Sequence, residues 1–262
     1  MQPLAECPSE RLRGLRGVLT DIDDTLTADG RIEAPALAAL HRLHAAGLPV
    51  IAITGRPAGW SEAFAMAWPV AAIVAENGAV MLRNSGGALR RDFTQDEPTR
   101  ASNALALRRC ADDLLARVPG ASLARDSVGR LTDIAVDHSE FAHLSAAQID
   151  AACAVMREHG MRATVSSIHV NGWFGEHSKW SAARWAVETA LGLRFDAREW
   201  IYVGDSSNDE QMFEAMPLSV GVANLARFAP QMQHLPAYIT QGERGEGFAE
   251  LAGALLSALG RG

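Results

Sequence analysis

Gly17-Val18-Leu19-Thr20-Asp21-Ile22-Asp23-Asp24-Thr25 decides the fold, because a short apolar run stops abruptly at a cluster of carboxylates. An apolar run this brief, closed by polar residues, reads as a buried strand that delivers its last side chains to a loop. A polar turn with Asp29-Gly30 follows, and then Ala36, Leu37, Leu40 and Leu43 recur with helical spacing. Gly47 ends that helix. The unit then repeats: Leu48 to Ile53 is a second run, closed by Thr54-Gly55-Arg56-Pro57, with Pro57 suited to the first turn of another helix. A third run, Val70 to Ala75, ends at Glu76-Asn77-Gly78, and Ala79 to Leu82 reads as an extended return. Strands alternating with helices imply right-handed crossovers and a parallel sheet.

Beyond residue 85 the pattern changes. Arg100 to Val118 and Ala146 to His159 have helical spacing, Arg130 to Val136 alternates, and Met161 to Val170 reads as one strand, which predicts a separate and largely antiparallel unit. The first pattern resumes with a helix over Lys179 to Leu191 and a strand from Trp200 to Val203 that stops at Gly204-Asp205. A helix over Glu210 to Met216, strands at Leu218 to Val222 and Tyr238 to Thr240, and a helix over Gly247 to Leu259 complete it. The expected organisation is a doubly wound, Rossmann-like α/β core made of residues 1–84 and 176–262, with a smaller α/β cap of residues 85–175 inserted between them.

The composition sets limits on partners. Twenty-four basic residues against thirty-one acidic ones leave a net charge of −7 over 262 residues, and 48% are hydrophobic, as in ordinary globular proteins. No block of Lys or Arg matches the phosphates of a nucleic acid. The apolar runs are far shorter than the roughly 20 residues a bilayer span needs, so no membrane partner is expected. The first sixteen residues, with Glu6, Glu10, Arg11, Arg13 and Arg16, lack the apolar segment of a secretory signal. Cys7, Cys110 and Cys153 form no CxxC pair and suggest no disulfide framework, which fits a reducing cytoplasm. The oligomeric state stays open, a monomer included.

Ligands of open parallel sheets bind beyond the carboxyl ends of the strands, so the polar residues placed just after each apolar run carry the functional information. They form a coherent set: Asp21, Asp23, Asp24 and Thr25 after the first strand, Thr54 after the second, and Asp205, Asn208 and Asp209 after the later one. Carboxylates gathered on one edge repel one another unless a cation sits among them, and an all-oxygen donor set points to Mg²⁺.

These residues resemble the motifs of the haloacid dehalogenase-like phosphohydrolases. The matches, in order, are Asp21-Ile-Asp23-Asp24-Thr25, Thr54-Gly55-Arg56, Lys179, and Gly204-Asp205-Ser-Ser-Asn208-Asp209. The position and size of the insertion look like the type IIB cap of that family's sugar-phosphate phosphatases. The resemblance implies a Mg²⁺-dependent phosphoric monoester hydrolase in which Asp21 is the nucleophile and forms an aspartyl phosphate. Asp23 serves as the acid and base, a task for a carboxyl able to switch protonation near neutral pH. Thr54 and Lys179 steady the transferring phosphoryl group, and Gly55, Arg56 and Asn208 join them around the phosphate. The metal is held by Asp21, the backbone carbonyl of Asp23, and Asp205, with Asp209 counted among its ligands. Lys179 is the only lysine in the chain, so nothing competes for its role. Two positions depart from the usual pattern, since Trp180 and Asp24 stand where glycine is common, yet neither removes a catalytic group.

The cap is less legible. His169, Asn171 and Trp173 lie where the insertion returns to the core, and alternation along a return strand would aim them at the site. Trp60 offers a flat face for a sugar ring, against the ordinary reading of a core aromatic. Glu76-Asn77-Gly78 reads either as a substrate contact or as a turn. The expected substrate is a small phosphorylated metabolite, a sugar phosphate above others. Sucrose phosphate, trehalose phosphate, mannosyl phosphoglycerate and phosphoglycolate are all cleaved by enzymes of similar architecture. Two rivals stay open: a phosphomutase of the same fold, and a receiver-like module that accepts phosphate on an aspartate for signalling. Asp23 and the long insertion argue against the receiver.

Overall fold

The computed structural model describes residues 1–261. In order, the chain forms β1 (Gln2–Pro3), α1 (Ser9–Arg13), β2 (Gly17–Thr20), β3 (Thr27–Ala28), β4 (Arg31–Ile32), α2 (Ala34–Ala45), β5 (Val50–Ile53) and α3 (Ala58–Ala67). Next come β6 (Ala72–Ala75), β7 (Val80–Ser85), β8 (Ala88–Phe93), α4 (Glu97–Arg117), β9 (Asp133–Asp137), α5 (Ala146–Glu158), β10 (Arg162–Val165) and β11 (His169–Trp173). The last part holds α6 (Lys179–Leu191), β12 (Trp200–Gly204), α7 (Glu210–Ala215), β13 (Ser219–Gly221), β14 (Tyr238–Ile239) and α8 (Arg244–Ala258).

Nine strands make one sheet in the order β1-β14-β13-β12-β2-β5-β6-β7-β8, parallel through β6 and closed by the antiparallel hairpin β7-β8. Each central strand is buried on both faces, which is why it reads as a continuous apolar run rather than an alternating one. Val18, Ala52, Ile73 and Val203 point to the face covered by α1, α2, α3 and α8. Leu19, Ile51, Val74 and Tyr202 point to the face covered by α6 and α7. The doubly wound α/β core is therefore present as expected. From β2 the chain winds outward through β5, and it returns on the other side at β12, so the sheet reverses its winding between β2 and β12. Their carboxyl ends flank the crevice where ligands of such sheets bind.

The second unit has its own sheet, ordered β10-β11-β9 and antiparallel throughout. Alternation divides that sheet into a greasy face and a polar one. Ile134, Val136 and Val170 turn toward Leu107, Cys110 and Leu114 of α4 and Cys153 and Met156 of α5, forming a third core. The register pairs His169 with Asp137, Asn171 with Ala135 and Trp173 with Asp133 on the opposite face. That polar face lies toward the carboxyl ends of the large sheet.

Two boundaries differ from the sequence reading. The large sheet continues through Ala88–Phe93, beyond residue 85, because Gly86-Gly87 turn with positive φ and return the chain along β7. Met161 to Val170 is not one strand but β10 and the start of β11. Ser166 breaks the run, its hydroxyl accepting the backbone N–H of His169 at 3.0 Å and so folding a tight turn.

Candidate active site

Asp21 stands one residue past β2, its N–H still donating to Val203 O of β12 at 2.9 Å, which fixes it in the crevice between the two strands. Lys179 is the first residue of α6. Ser178 caps that helix by accepting the Ser181 N–H, and Gly192 closes its other end with φ 65°. Helix placement thus carries a buried ammonium to the carboxylates: Lys179 Nζ lies 2.9 Å from Asp21 Oδ1, 2.6 Å from Asp209 Oδ1 and 3.2 Å from Asn208 Oδ1. Burial alone would lower the lysine's pKa, but Asp209 and Asp21 outweigh it and hold the ammonium charged.

Asp21, Asp205 and Asp209 are all buried, with oxygens within 4.8 Å of one another. Burial pushes Asp21 up to about 7 against the pull of Lys179, with Asp209 and Asp23 adding to the rise. Burial likewise pushes Asp205 far above the carboxylate range, and Asp209, Asp21 and Asp24 push it further. One oxygen, Asp205 Oδ1, is sealed from solvent and finds no hydrogen-bond donor among the described residues. A buried, unpaired carboxylate oxygen between two further carboxylates is the arrangement a hard divalent cation stabilises. The donor set fits such an ion.

Asp209 differs from the other two. Its Oδ1 accepts from Lys179 Nζ and, at 2.5 Å, from the Tyr202 hydroxyl, while its Oδ2 accepts the backbone N–H groups of Asp205 at 2.9 Å and Ser206 at 3.2 Å. Gly204 makes this possible, since a Cβ there would collide with the Asp209 carboxylate. Both oxygens of Asp209 thus accept donors, so that besides standing in the acidic cluster it orients Lys179 and the Asp205 loop.

Asp23 is held between Arg56 and Thr54: Arg56 Nε donates to Oδ1 at 2.8 Å and Thr54 Oγ1 to Oδ2 at 3.4 Å. Thr54 Oγ1 also accepts the Arg56 N–H at 3.0 Å. Arg56 is not free to meet a phosphate. It is buried, and its other nitrogens bind Asp126 at 3.1 Å and Glu140 at 2.8 Å, both from the inserted unit. Burial would depress the guanidinium's pKa, but Asp23 and Glu140 reverse that. Burial would raise Glu140, yet hydrogen bonds from His169 and Arg56 bring it down to about 2. Gly55 supplies its carbonyl to two side chains of the same unit, Arg130 at 3.0 Å and Asn171 at 3.2 Å.

His169 and Asn171 do reach the site, lining with Asp21, Asp23, Gly55 and Asn208 a cavity of about 10 Å³. The polar face of β11 thus covers the carboxylates closely. Trp173 does not join them; its indole donates to His177 O at 3.1 Å and lines a separate cavity of about 520 Å³ with Asn77, Lys179 and Asn208. Trp60 is a core residue, set edge-on against Phe64 at 4.5 Å. Glu76 is fully buried and accepts from Ala58 N, Leu131 N and Thr132 N, so it ties β6 to the inserted unit and faces no ligand. Tyr202 and Asn224 escaped the sequence reading. Asn224, which donates to Asp24 O at 2.9 Å and Asp205 Oδ2 at 3.3 Å, follows β13 and obeys the same rule of polar residues beyond strand ends. Tyr202 sits inside an apolar run, where only its hydroxyl signals a second function.

The sequence profile of the haloacid dehalogenase-like hydrolases matches residues 18–110, which contain Asp21 and Thr54. A phosphoglycolate phosphatase of Methanothermobacter thermautotrophicus is 26% identical over 242 residues, covering 90% of this chain and 96% of the relative. Another, from Methanoculleus marisnigri, is 28% identical over 246 residues, covering 90% and 94%. Among solved structures, Thermoplasma acidophilum 0175 superimposes with a TM-score of 0.70 at 18% identity over 92% of this chain and 98% of that one. The sucrose-phosphatase of Synechocystis sp. PCC6803 gives 0.65 at 15% identity over 92% and 98%. A doubly wound sheet with carboxylates and a lysine at its winding reversal, the profile match over residues 18–110, and relatives alike along nearly their whole length make the chain similar to the haloacid dehalogenase-like hydrolases.

Proposed function

We propose that the protein is a Mg²⁺-dependent phosphomonoesterase acting on a small phosphorylated metabolite, a sugar phosphate or a phosphorylated acid, through an aspartyl phosphate on Asp21. The observation that carries this reading is the buried junction of Asp21 with Lys179 at 2.9 Å and with Asp205 and Asp209 at the ends of β2 and β12. Such a junction holds a nucleophile, a fixed positive charge and a cation site together. Phosphoryl transfer needs little else, because positioning and charge neutralisation dominate it.

Asp21 attacks phosphorus in line: its carboxylate oxygen forms the new bond while the ester P–O bond breaks, and Asp23 gives its proton to the departing oxygen. Asp23 then takes a proton from water as the water oxygen bonds phosphorus and frees Asp21. Lys179, Asn208 and Thr54 hold the equatorial oxygens. Asp21, Asp205 and the Asp23 carbonyl would hold Mg²⁺, which when bound supplies further positive charge to the phosphate. The unit of β9 to β11 acts as a cap, excluding water with His169 and Asn171. Names of the relatives agree in kind, being phosphatases of phosphoglycolate and of sucrose phosphate.

The test is hydrolysis of p-nitrophenyl phosphate by the purified protein with Mg²⁺ and then with chelator. Activity is expected only with the metal. Asp21→Asn is expected to remain folded and to lose turnover entirely, and retained turnover would overthrow the assignment of the nucleophile.

A further inference from the structure

Next to the small cavity over Asp21 lies another of about 210 Å³, and the two share Asp23, Arg56, Ser167 and Ile168. On the reading above, Asp23 touches the oxygen that departs with the alcohol, so the leaving group extends on the Asp23 side. The larger cavity on the other side reaches Lys179 and Asn208 but not Asp23.

Three arginines line the Asp23 cavity, and their hydrogen-bonding states differ. The Nε and both terminal nitrogens of Arg56 are engaged by Asp23, Asp126 and Glu140. Arg227 binds Asp24 Oδ2 at 3.0 Å through one terminal nitrogen, which also lies 3.5 Å from Asp205 Oδ2. Arg244 Nε stands 3.0 Å from Asp24 Oδ1 without the alignment of a hydrogen bond. Among the described residues, nothing accepts from the terminal nitrogens of Arg244 or from the second terminal nitrogen of Arg227. Asp24 and Asp205 thus meet the two guanidinium groups at one edge, and the remaining terminal nitrogens are left to an incoming acceptor. Asp29, exposed at the rim, pairs with neither. Arg244 is also held in a conformation unfavourable for a residue with a Cβ: its φ is 48°, and its N–H is fixed by Asn224 Oδ1 at 2.9 Å.

We propose that Arg227 and Arg244 form a carboxylate subsite for the leaving group, so that the preferred substrate is the phosphate monoester of a short hydroxy acid. Paired planar donors suit a carboxylate, which two guanidinium groups grip through several N–H bonds.

The test compares phosphoglycolate with 2-hydroxyethyl phosphate, which differs in lacking the carboxylate, for wild type, Arg244→Ala, Arg244→Lys and Arg227→Ala. The readout is the ratio of kcat/KM for the charged ester to that for the neutral one, in which any general loss of folding or metal binding cancels. Wild type is expected to favour phosphoglycolate. Each alanine variant is expected to lower the ratio roughly ten- to a hundredfold, as for a lost hydrogen bond to a charged group, chiefly through KM, and Arg244→Lys to restore part of it. An unchanged ratio in both alanine variants, or no preference in the wild type while p-nitrophenyl phosphate is cleaved, overturns the subsite alone. Inertness toward every ester, p-nitrophenyl phosphate included, overturns the phosphatase reading and the subsite with it.

Discussion

Asp209→Asn separates orientation from metal binding. In the folded chain this carboxylate accepts four donors: Lys179 Nζ, the Tyr202 hydroxyl, and the N–H groups of Asp205 and Ser206. Asparagine keeps the shape but replaces one oxygen with an NH₂ group, so donors face donors whichever way the amide turns, and Lys179 loses a counter-charge. Hydrogen bonds to charged groups contribute about 1.5–3 kcal/mol each, and breaking a buried ion pair costs about 3–5 kcal/mol. These effects share one carboxylate and do not add, so the expected loss is on the order of 4 kcal/mol. At about 2–4 °C per kcal/mol for a chain of this size, the melting temperature should fall by roughly 10 °C. The measurement is thermal unfolding in chelator, beside a Mg²⁺ titration of activity. A residue that mainly bound metal would behave otherwise. With the ion removed, deleting one of three crowded charges would relieve repulsion, and the variant would melt at or above the wild-type temperature. That result would refute the orienting role.

Asp205→Asn should act in the opposite sense: it removes a buried charge that burial already disfavours, so the chelated protein should not lose stability, while half-maximal activation should need tenfold more Mg²⁺ or beyond. Arg56→Met should open the cap, since it deletes contacts to Asp126 and Glu140 worth on the order of 3 kcal/mol, and hydrogen exchange at Leu131 and Thr132 should accelerate while kcat falls. His177, pushed down to about 4 by burial and by Arg162, binds its proton more readily unfolded, at 6.5, than folded. Stability is therefore complete above pH 6.5 and lost as pH falls toward 4, by about 3 kcal/mol at about 1.4 kcal/mol per pH unit, and His177→Gln should flatten that slope in urea titrations between pH 7 and 4.

Much of the core was legible because two faces of the central strands are buried at once. Runs such as Val50 to Ile53 and Trp200 to Gly204 have no polar interruptions, and the first polar residue after each run marks the sheet edge where ligands gather. Asp21, Thr54 and Asp205 accordingly emerge together, whereas Lys179, the first residue of α6, comes only from the resemblance. Sequence could not say how their oxygens divide among donors. Asp209 belongs to the acidic cluster by type and spacing, and only the position of Tyr202, the Asp205 loop and the bare Cα of Gly204 reveals which donors it also accepts. Arg56 is a similar case, since its partners Asp126 and Glu140 lie 70 and 84 residues away. The outer strand of the hairpin, Ala88–Phe93, was missed for another reason: it is an edge carrying Arg90, Arg91 and Asp92, so its pattern is that of a solvated surface.

The contacts between the two units share a property that bears on how the site works. Arg130 and Asn171 meet Gly55 O, the backbone of Leu131 and Thr132 meets Glu76, Arg56 meets Asp126 and Glu140, and Ser207 Oγ meets Val165 O at 3.0 Å. These are polar contacts, whereas the three apolar clusters each stay within one unit or one face of the large sheet. Hydrogen bonds exchanged for water change free energy by only about 0.5–1.5 kcal/mol each, while exposing apolar area costs about 25 cal/mol per Å² with no such compensation. An interface built from the former can part and reform without disturbing any core. With about 10 Å³ over Asp21, less than one water occupies, the phosphate of the proposed reaction reaches Asp21 as the units part. The price of closure falls on Arg56, which must stay charged and buried, and its three carboxylate partners are what make that tolerable. Because one of those partners is Asp23, the guanidinium that joins the inserted unit to the large sheet also holds the carboxylate proposed above as acid and base, so parting the units changes that carboxylate's hydrogen bonding as well.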